Sequence, residues 1–226
     1  MIAAVSREGR GQLLEVEVMS GAWQPFEIPF ESLGYVRPLR DRVVFWGGSP
    51  RAASGIHQLD LNSHEVTTLR VSSPLGVDPG YLSTPQTIEF PTENGLTAFG
   101  FYYPPQNKDF RAPDGERLPS ERPPSERLPS ERLPSERLPS ERPPLLVFSH
   151  GGPTSATSAT LDLRIQYWTS RGFGVLDVNY GGSTGYGRAY RERLNGQWGV
   201  VDVDDCVNGA KYLVAQGMVD GERLAI

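Results

Sequence analysis

The chain has 226 residues, a length that accommodates one or two domains. It is 38% hydrophobic and 22% charged with a formal net charge of −5, a globular balance with no basic field to hold nucleic acid or an anionic membrane surface. No apolar run approaches the roughly 20 residues of a membrane span; "MIAAVSREGRGQ" lacks a signal-peptide pattern; and the single cysteine, Cys206, excludes an intramolecular disulfide and points to a reducing, cytoplasmic setting.

The first 80 residues read as all-β. "IAAVS", "QLLEVEVMS", "DRVVFWGG", "IHQLDLN" and "EVTTLRVSS" are short runs separated by turn residues. In "LEVEVMSG" and "HQLDLNS" apolar and polar residues alternate, the period of a half-buried strand. Ile2–Val5 corresponds to Val43–Trp46, and Val16–Val18 to Leu59–Leu61, at a spacing of roughly 42 residues, in the range of four-stranded propeller blades. About two blades fit before Tyr81, and two blades cannot close a propeller. Residues 1–85 are therefore expected to be the last blades of a larger one.

From Leu118 to Arg142 a five-residue unit, Leu/Pro-Pro-Ser-Glu-Arg, repeats. Proline in every unit removes an amide donor and breaks helices, and little apolar surface is available to offset ordering entropy. A disordered insert at about 112–144 is expected, tolerated as a surface loop rather than serving as a docking site.

After the insert the pattern changes. "LLVFSHGG" is a buried strand ending in glycines, and "SATLDLRIQYWTSRG" is a helix with Leu161, Ile165 and Trp168 on one face and Gly172 as its stop. "FGVLDVNY" is a second strand. "VDVDDCVNGAKYLVAQG" is a second helix with Val203, Cys206, Val207, Ala210, Leu213 and Val214 on its apolar face, closed by Gly217. "ERLAI" begins a third strand. This alternation predicts an α/β fold, a parallel sheet with helices on its faces.

Two motifs bear on chemistry. Gly181-Gly-Ser183-Thr-Gly185 matches the Gly-x-Ser-x-Gly pattern of a nucleophile elbow. An α/β-hydrolase needs its acid and base after the nucleophile, yet His57, His64 and His150 all precede Ser183, and the surrounding loop is glycine-rich rather than strand-then-helix. Ser183 is read as structural. His150-Gly-Gly-Pro153 lies at the carboxyl end of "LLVFS", where parallel sheets bind ligands. Glycine amides there can approach a developing oxyanion.

"PPLLVFSHGGPTSA", "QYWTSRGFGVLDVNYGGSTGYGRAYRERLNGQWGVVDVDDC" and "YLVAQGMVDGERLAI" resemble the prolyl oligopeptidase family of serine peptidases, in its acylaminoacyl-peptidase and dipeptidyl-peptidase-like branch. The resemblance implies a propeller capping an α/β-hydrolase domain, with 86–226 its N-terminal part, and a Ser-Asp-His acyl-enzyme mechanism acting on short peptides. It implies that nucleophile, acid and base all lie beyond Ile226, so that this fragment is expected to be inactive and poorly folded alone. It carries over the backbone of Gly151 and Gly152 as half an oxyanion hole. His150 stands where some relatives use a tyrosine hydroxyl. Tyr180, Tyr186 and Tyr190 are substrate-pocket candidates, with loop packing as the competing role. Asp202, Asp204 and Asp205 are expected to cap the second helix, Cys206 to be a core residue, His57 and His64 to be packing or surface residues, and Trp198-Gly199 to fix the loop against that helix. No metal or organic cofactor is implied. Two other classes fit the same residues: an α/β-hydrolase esterase or lipase, and a non-catalytic propeller and proline-rich interaction protein.

Overall fold

The computed structural model describes residues 1–74, 76–109, 142–152 and 154–226. Almost all of the Pro-Ser-Glu-Arg insert lies outside the described residues. The first sheet is antiparallel, in the order β1 (Ile2–Arg7), β2 (Arg10–Val16), β3 (Trp23–Pro25). The second is a four-stranded meander of β4 (Ser32–Pro38), β5 (Arg42–Gly48), β6 (Gly55–Asp60) and β7 (Val66–Val71). β1–β2 and β5–β6 are both antiparallel hairpins, with Val18 beyond the end of β2 and Leu61 beyond the end of β6. Among the described residues, however, the first sheet has no strand at the place of β4, so it is three-stranded rather than a second four-stranded unit. Leu13, Phe26, Val43, Phe45 and Leu59 form one core across both sheets.

His57 sits in that core. It is 3% exposed, its Nδ1 lies 3.1 Å from Thr68 Oγ1, and its Nε2 has no hydrogen-bond partner among the described residues. Its ring packs 4.1 Å from that of Phe30. Burial holds its pKa below the usual 6.5. The neutral form is favoured by folding, so this contribution is intact above pH 6.5 and erodes as pH falls below it. The drop in melting temperature between pH 7.5 and pH 5 should be smaller in His57→Leu than in the unsubstituted chain; an unchanged drop would show that His57 does not report acid sensitivity. His64 occupies an exposed turn with φ 58°.

The third sheet is mixed, in the order β12-β10-β11-β9-β8. It comprises β8 (Gln86–Pro91), β9 (Thr97–Tyr103), β10 (Leu145–Ser149), β11 (Gly174–Asn179) and β12 (Leu224–Ala225). The strands anticipated from "LLVFS", "GVLDVN" and "ERLAI" are parallel, with β10 between β11 and β12. β8 and β9 join antiparallel, which the βα alternation alone did not anticipate.

Helices cover both faces. Side chains alternate along a strand, so Val175 of β11 meets Phe101, Tyr103 and Ile165 on one face, while Leu176 and Val178 meet Phe90, Tyr102, Cys206, Ala210 and Leu213 on the other. Each fully buried side chain of this size contributes about 1.5–3 kcal/mol. The first face belongs to α1 (Leu163–Thr169), capped by Asp162, which accepts from Arg164 N. Leu161 precedes this helix rather than lying on its face; its amide bonds Ser49 O. A short α2 (Arg188–Glu192) precedes α3 (Val201–Ala215), which covers the second face. Gly217, at φ 68°, closes α3 with bonds from Gly217 N to Val214 O and Met218 N to Leu213 O.

α3 is rotated from the expected register. Val203 and Val207 are 51% and 45% exposed, and the buried residues are Asp205, Cys206, Gly209, Ala210 and Leu213. Gly209 explains part of this: a Cβ there would lie 2.8 Å from Leu176 Cδ2, so the helix approaches the sheet through the missing side chain. Trp198 is 71% exposed and does not pin the loop. No helix among the described residues is long and apolar enough to cross a membrane.

Candidate functional site

The candidate site is built where β10 and β11 end. β10 is read out into His150, Gly151 and Gly152. Both glycines are exposed, Gly152 has φ 69°, and a Cβ on either would meet open space. Neither amide hydrogen-bonds a described residue. Gly151 lines a cavity of about 1020 Å³ together with His150, Thr157, Trp168, Asp177 and Ile226, so the end of β12 borders the same space.

His150 does not face this loop alone. Its Nε2 lies 2.7 Å from Ser183 Oγ. Its ring stacks on Tyr180 at 4.4 Å, and the Tyr180 hydroxyl donates to His150 O at 3.0 Å. A serine touching a histidine invites a catalytic reading, but the proton count opposes it. Ser183 Oγ also lies 2.7 Å from Tyr180 O, which can only accept. A serine proton given to that carbonyl leaves Oγ to accept from a protonated Nε2, while Nδ1 lies 3.4 Å from a second acceptor, Gly151 O. A general base needs the reverse arrangement. Ser183 is also fully buried. The order of residues in the chain had excluded a downstream base; it gave no sign that an upstream histidine would meet this serine.

The other tyrosines lie elsewhere. Tyr186 stacks on Phe99 at 4.5 Å and its hydroxyl accepts from Asn179 Nδ2. Tyr190 is buried, and its hydroxyl donates to Asn179 O at 2.6 Å. The cavity beside His150 is lined without Tyr180, Tyr186 or Tyr190.

Two carboxylates have roles that the sequence reading missed. Asp177 points from β11 toward α1 and lines the cavity, 9% exposed. Burial pushes its pKa up to about 6 against the Thr157 hydroxyl, which donates to it. A lone aspartate inside the apolar run "FGVLDVNY" was the available signal. Asp205, expected as a cap, is buried instead. It accepts from Gly181 N at 2.6 Å and from the Thr92 hydroxyl at 2.5 Å, and burial raises its pKa. Asp202 does act at the helix start, accepting from Gly199 N at 2.7 Å. Cys206 is a core thiol pushed up to about 12 by burial.

The comparisons with known proteins bear on this geometry. The prolyl oligopeptidase family matches residues 159–226, from the loop before α1 through β12. A puromycin-hydrolyzing peptidase of Mycobacterium tuberculosis superposes with a TM-score of 0.82 at 37% identity, over 99% of this chain and 31% of that one. Residues 159–226 are thus similar to a segment of the prolyl oligopeptidase family. Puromycin hydrolase, solved as a mutant complexed with PGG, gives a TM-score of 0.79 at 38% identity, over 100% of this chain and 31% of that one. Among curated proteins, dipeptidyl aminopeptidase BIII of Pseudoxanthomonas mexicana is 35% identical over 83 residues, 37% of this chain and 12% of that protein. The acylamino-acid-releasing enzyme of Arabidopsis thaliana is 34% identical over 83 residues, 37% of this chain and 11% of that protein. The chain thus spans about a third of the solved structures it matches, and its matched segment about a tenth of the curated relatives.

Proposed function

We propose that this chain is part of a serine peptidase that hydrolyses short peptides through an acyl-enzyme, built from the last blades of a propeller (1–85) and the first part of an α/β-hydrolase domain (86–226). The amides of Gly151 and Gly152 form one arm of the oxyanion hole. The reacting serine, its acid and its base are drawn from residues outside these 226, and this chain by itself does not turn over peptide.

One observation carries the reading: two exposed glycines whose amides bond no described residue follow β10, and the first of them lines a cavity that the end of a neighbouring parallel strand also borders. Ligands of open α/β sheets bind outside the carboxyl ends of strands, and β10, flanked by β11 and β12, is where the chain order changes direction. Amides aimed at a developing negative charge contribute most there, since they act chiefly in the transition state. The peptidase names of the relatives and the PGG complex of a neighbour support a peptide as substrate.

A fluorophosphonate probe, which labels activated serines, tests this. The 226-residue chain should remain unlabelled, and stoichiometric labelling at Ser183 would refute the structural role given to that residue. The full polypeptide encoded by the gene should be labelled at one serine outside residues 1–226 and should cleave peptide amides. Cleavage of acyl esters alone would make it an esterase, and labelling of neither would remove the hydrolase reading.

A further inference from the structure

Gly151 and Gly152 have no side chains, their amides bond nothing described, and among the described contacts only their carbonyls are engaged, Gly151 O lying 3.4 Å from His150 Nδ1. Their orientation must come from the residues on either side. Ser155 N bonds Gly152 O at 2.9 Å, and Thr184 N bonds Ser155 O at 2.9 Å. At the other end stands His150, held by Ser183 and Tyr180. Both anchors therefore lead to one turn, Tyr180–Thr184. That turn is itself fixed: Ser183 N bonds Tyr180 O, Gly182 N bonds Tyr190 O, and Gly181 N bonds the buried Asp205 carboxylate.

We propose that Ser183 is a positioning residue, whose buried hydroxyl clamps His150 in the Nε2–H tautomer and so fixes the Gly151–Gly152 backbone at the rim of the cavity. This rests on the oxyanion reading above only for the use made of the two amides; the clamp is a separate claim. The shorter contacts favour this tautomer. Oγ lies 2.7 Å from both Tyr180 O and Nε2, so it can give its proton to the carbonyl and take one from Nε2, whereas Nδ1 stands farther from its neighbours, 3.3 Å from the Tyr180 hydroxyl and 3.4 Å from Gly151 O. The imidazole is thereby held at three places: an edge by Ser183, a face by the Tyr180 ring, and its own carbonyl by the Tyr180 hydroxyl. Burial favours the neutral ring that this arrangement needs. The serine of an apparent nucleophile elbow thus acts through hydrogen bonds, with no bond to substrate.

Nuclear magnetic resonance of the full polypeptide encoded by the gene, labelled with nitrogen-15, gives a readout that needs no turnover. At pH 7.5 the His150 ring, assigned by its loss in His150→Gln, should show the neutral Nε2–H tautomer. The Gly151 and Gly152 amides should have order parameters near ~0.85, falling below about 0.6 in Ser183→Ala while Val147 in β10 stays rigid. His150→Gln retains an N–H that can reach Ser183 and should keep both glycines ordered; His150→Leu should not. An Nδ1–H tautomer in the unsubstituted chain, or glycines equally ordered in Ser183→Ala, overturns the clamp. If Ser183→Ala unfolds, the glutamine and leucine variants decide the matter, and equal order in both refutes it. A full polypeptide without peptidase activity would remove the oxyanion reading and leave these spectra unaltered.

Discussion

Asp205→Ala should destabilise the chain by about 3 kcal/mol. The carboxylate is 2% exposed and satisfies two donors, Gly181 N and the Thr92 hydroxyl. Removing it leaves both without an acceptor, at about 1–3 kcal/mol for a buried donor. Part of this loss is offset, since burial already raises the proton affinity of Asp205 and its ionised form is costly to hold. Asp205→Asn keeps one acceptor oxygen and should cost about half as much. Urea denaturation of the three chains checks the order. Alanine and asparagine variants of equal stability would show that the charge, and not the acceptor geometry, matters. Because Gly181 lies in the turn that carries Ser183, the alanine variant should also loosen His150.

Asp177→Asn should do the opposite, and only at high pH. Burial raises the Asp177 pKa from 3.8 to about 6, so the folded state favours the protonated acid. The sign follows: its contribution is fully present below pH 3.8 and is lost as pH rises through about 6. The distance from 3.8 to about 6 corresponds to about 3 kcal/mol against folding at pH 8. Asparagine is neutral, similar in shape, and keeps an oxygen for the Thr157 hydroxyl. The variant should therefore be more stable by about 2–3 kcal/mol at pH 8 and nearly equal at pH 4. Denaturation at the two pH values measures this, and a variant less stable at pH 8 would mean that the carboxylate is paired more strongly than its neighbours indicate.

Both predictions concern residues whose roles the sequence showed only partly. Asp205 was visible as an acid near a helix start, where capping is the usual use. Its burial depends on Gly181 and Thr92, and Thr92 reaches the helix from β8's end. The face of α3 was assigned from period alone, which placed Val203 and Val207 inside; Gly209's approach to Leu176 and the two bonds to Asp205 turned them out. Likewise, nothing local marks β8 and β9 as antiparallel partners of a sheet whose other three strands are parallel.

The sequence by itself determined the kind and order of the elements: short alternating strands, then strand–helix alternation, a strand ending in His150-Gly151-Gly152, and Ser183 with no histidine after it. These follow from period, turn residues and chain order, which are local or directional properties. Only the tertiary structure decided that His150 and Ser183, 33 residues apart, share a hydrogen bond, that Ser183 Oγ also lies 2.7 Å from Tyr180 O, and that Asp177 and Asp205 are buried carboxylates. Proton positions and burial are set by which atoms surround a group, and those atoms arrive from strands and turns that only the folded sheet brings together.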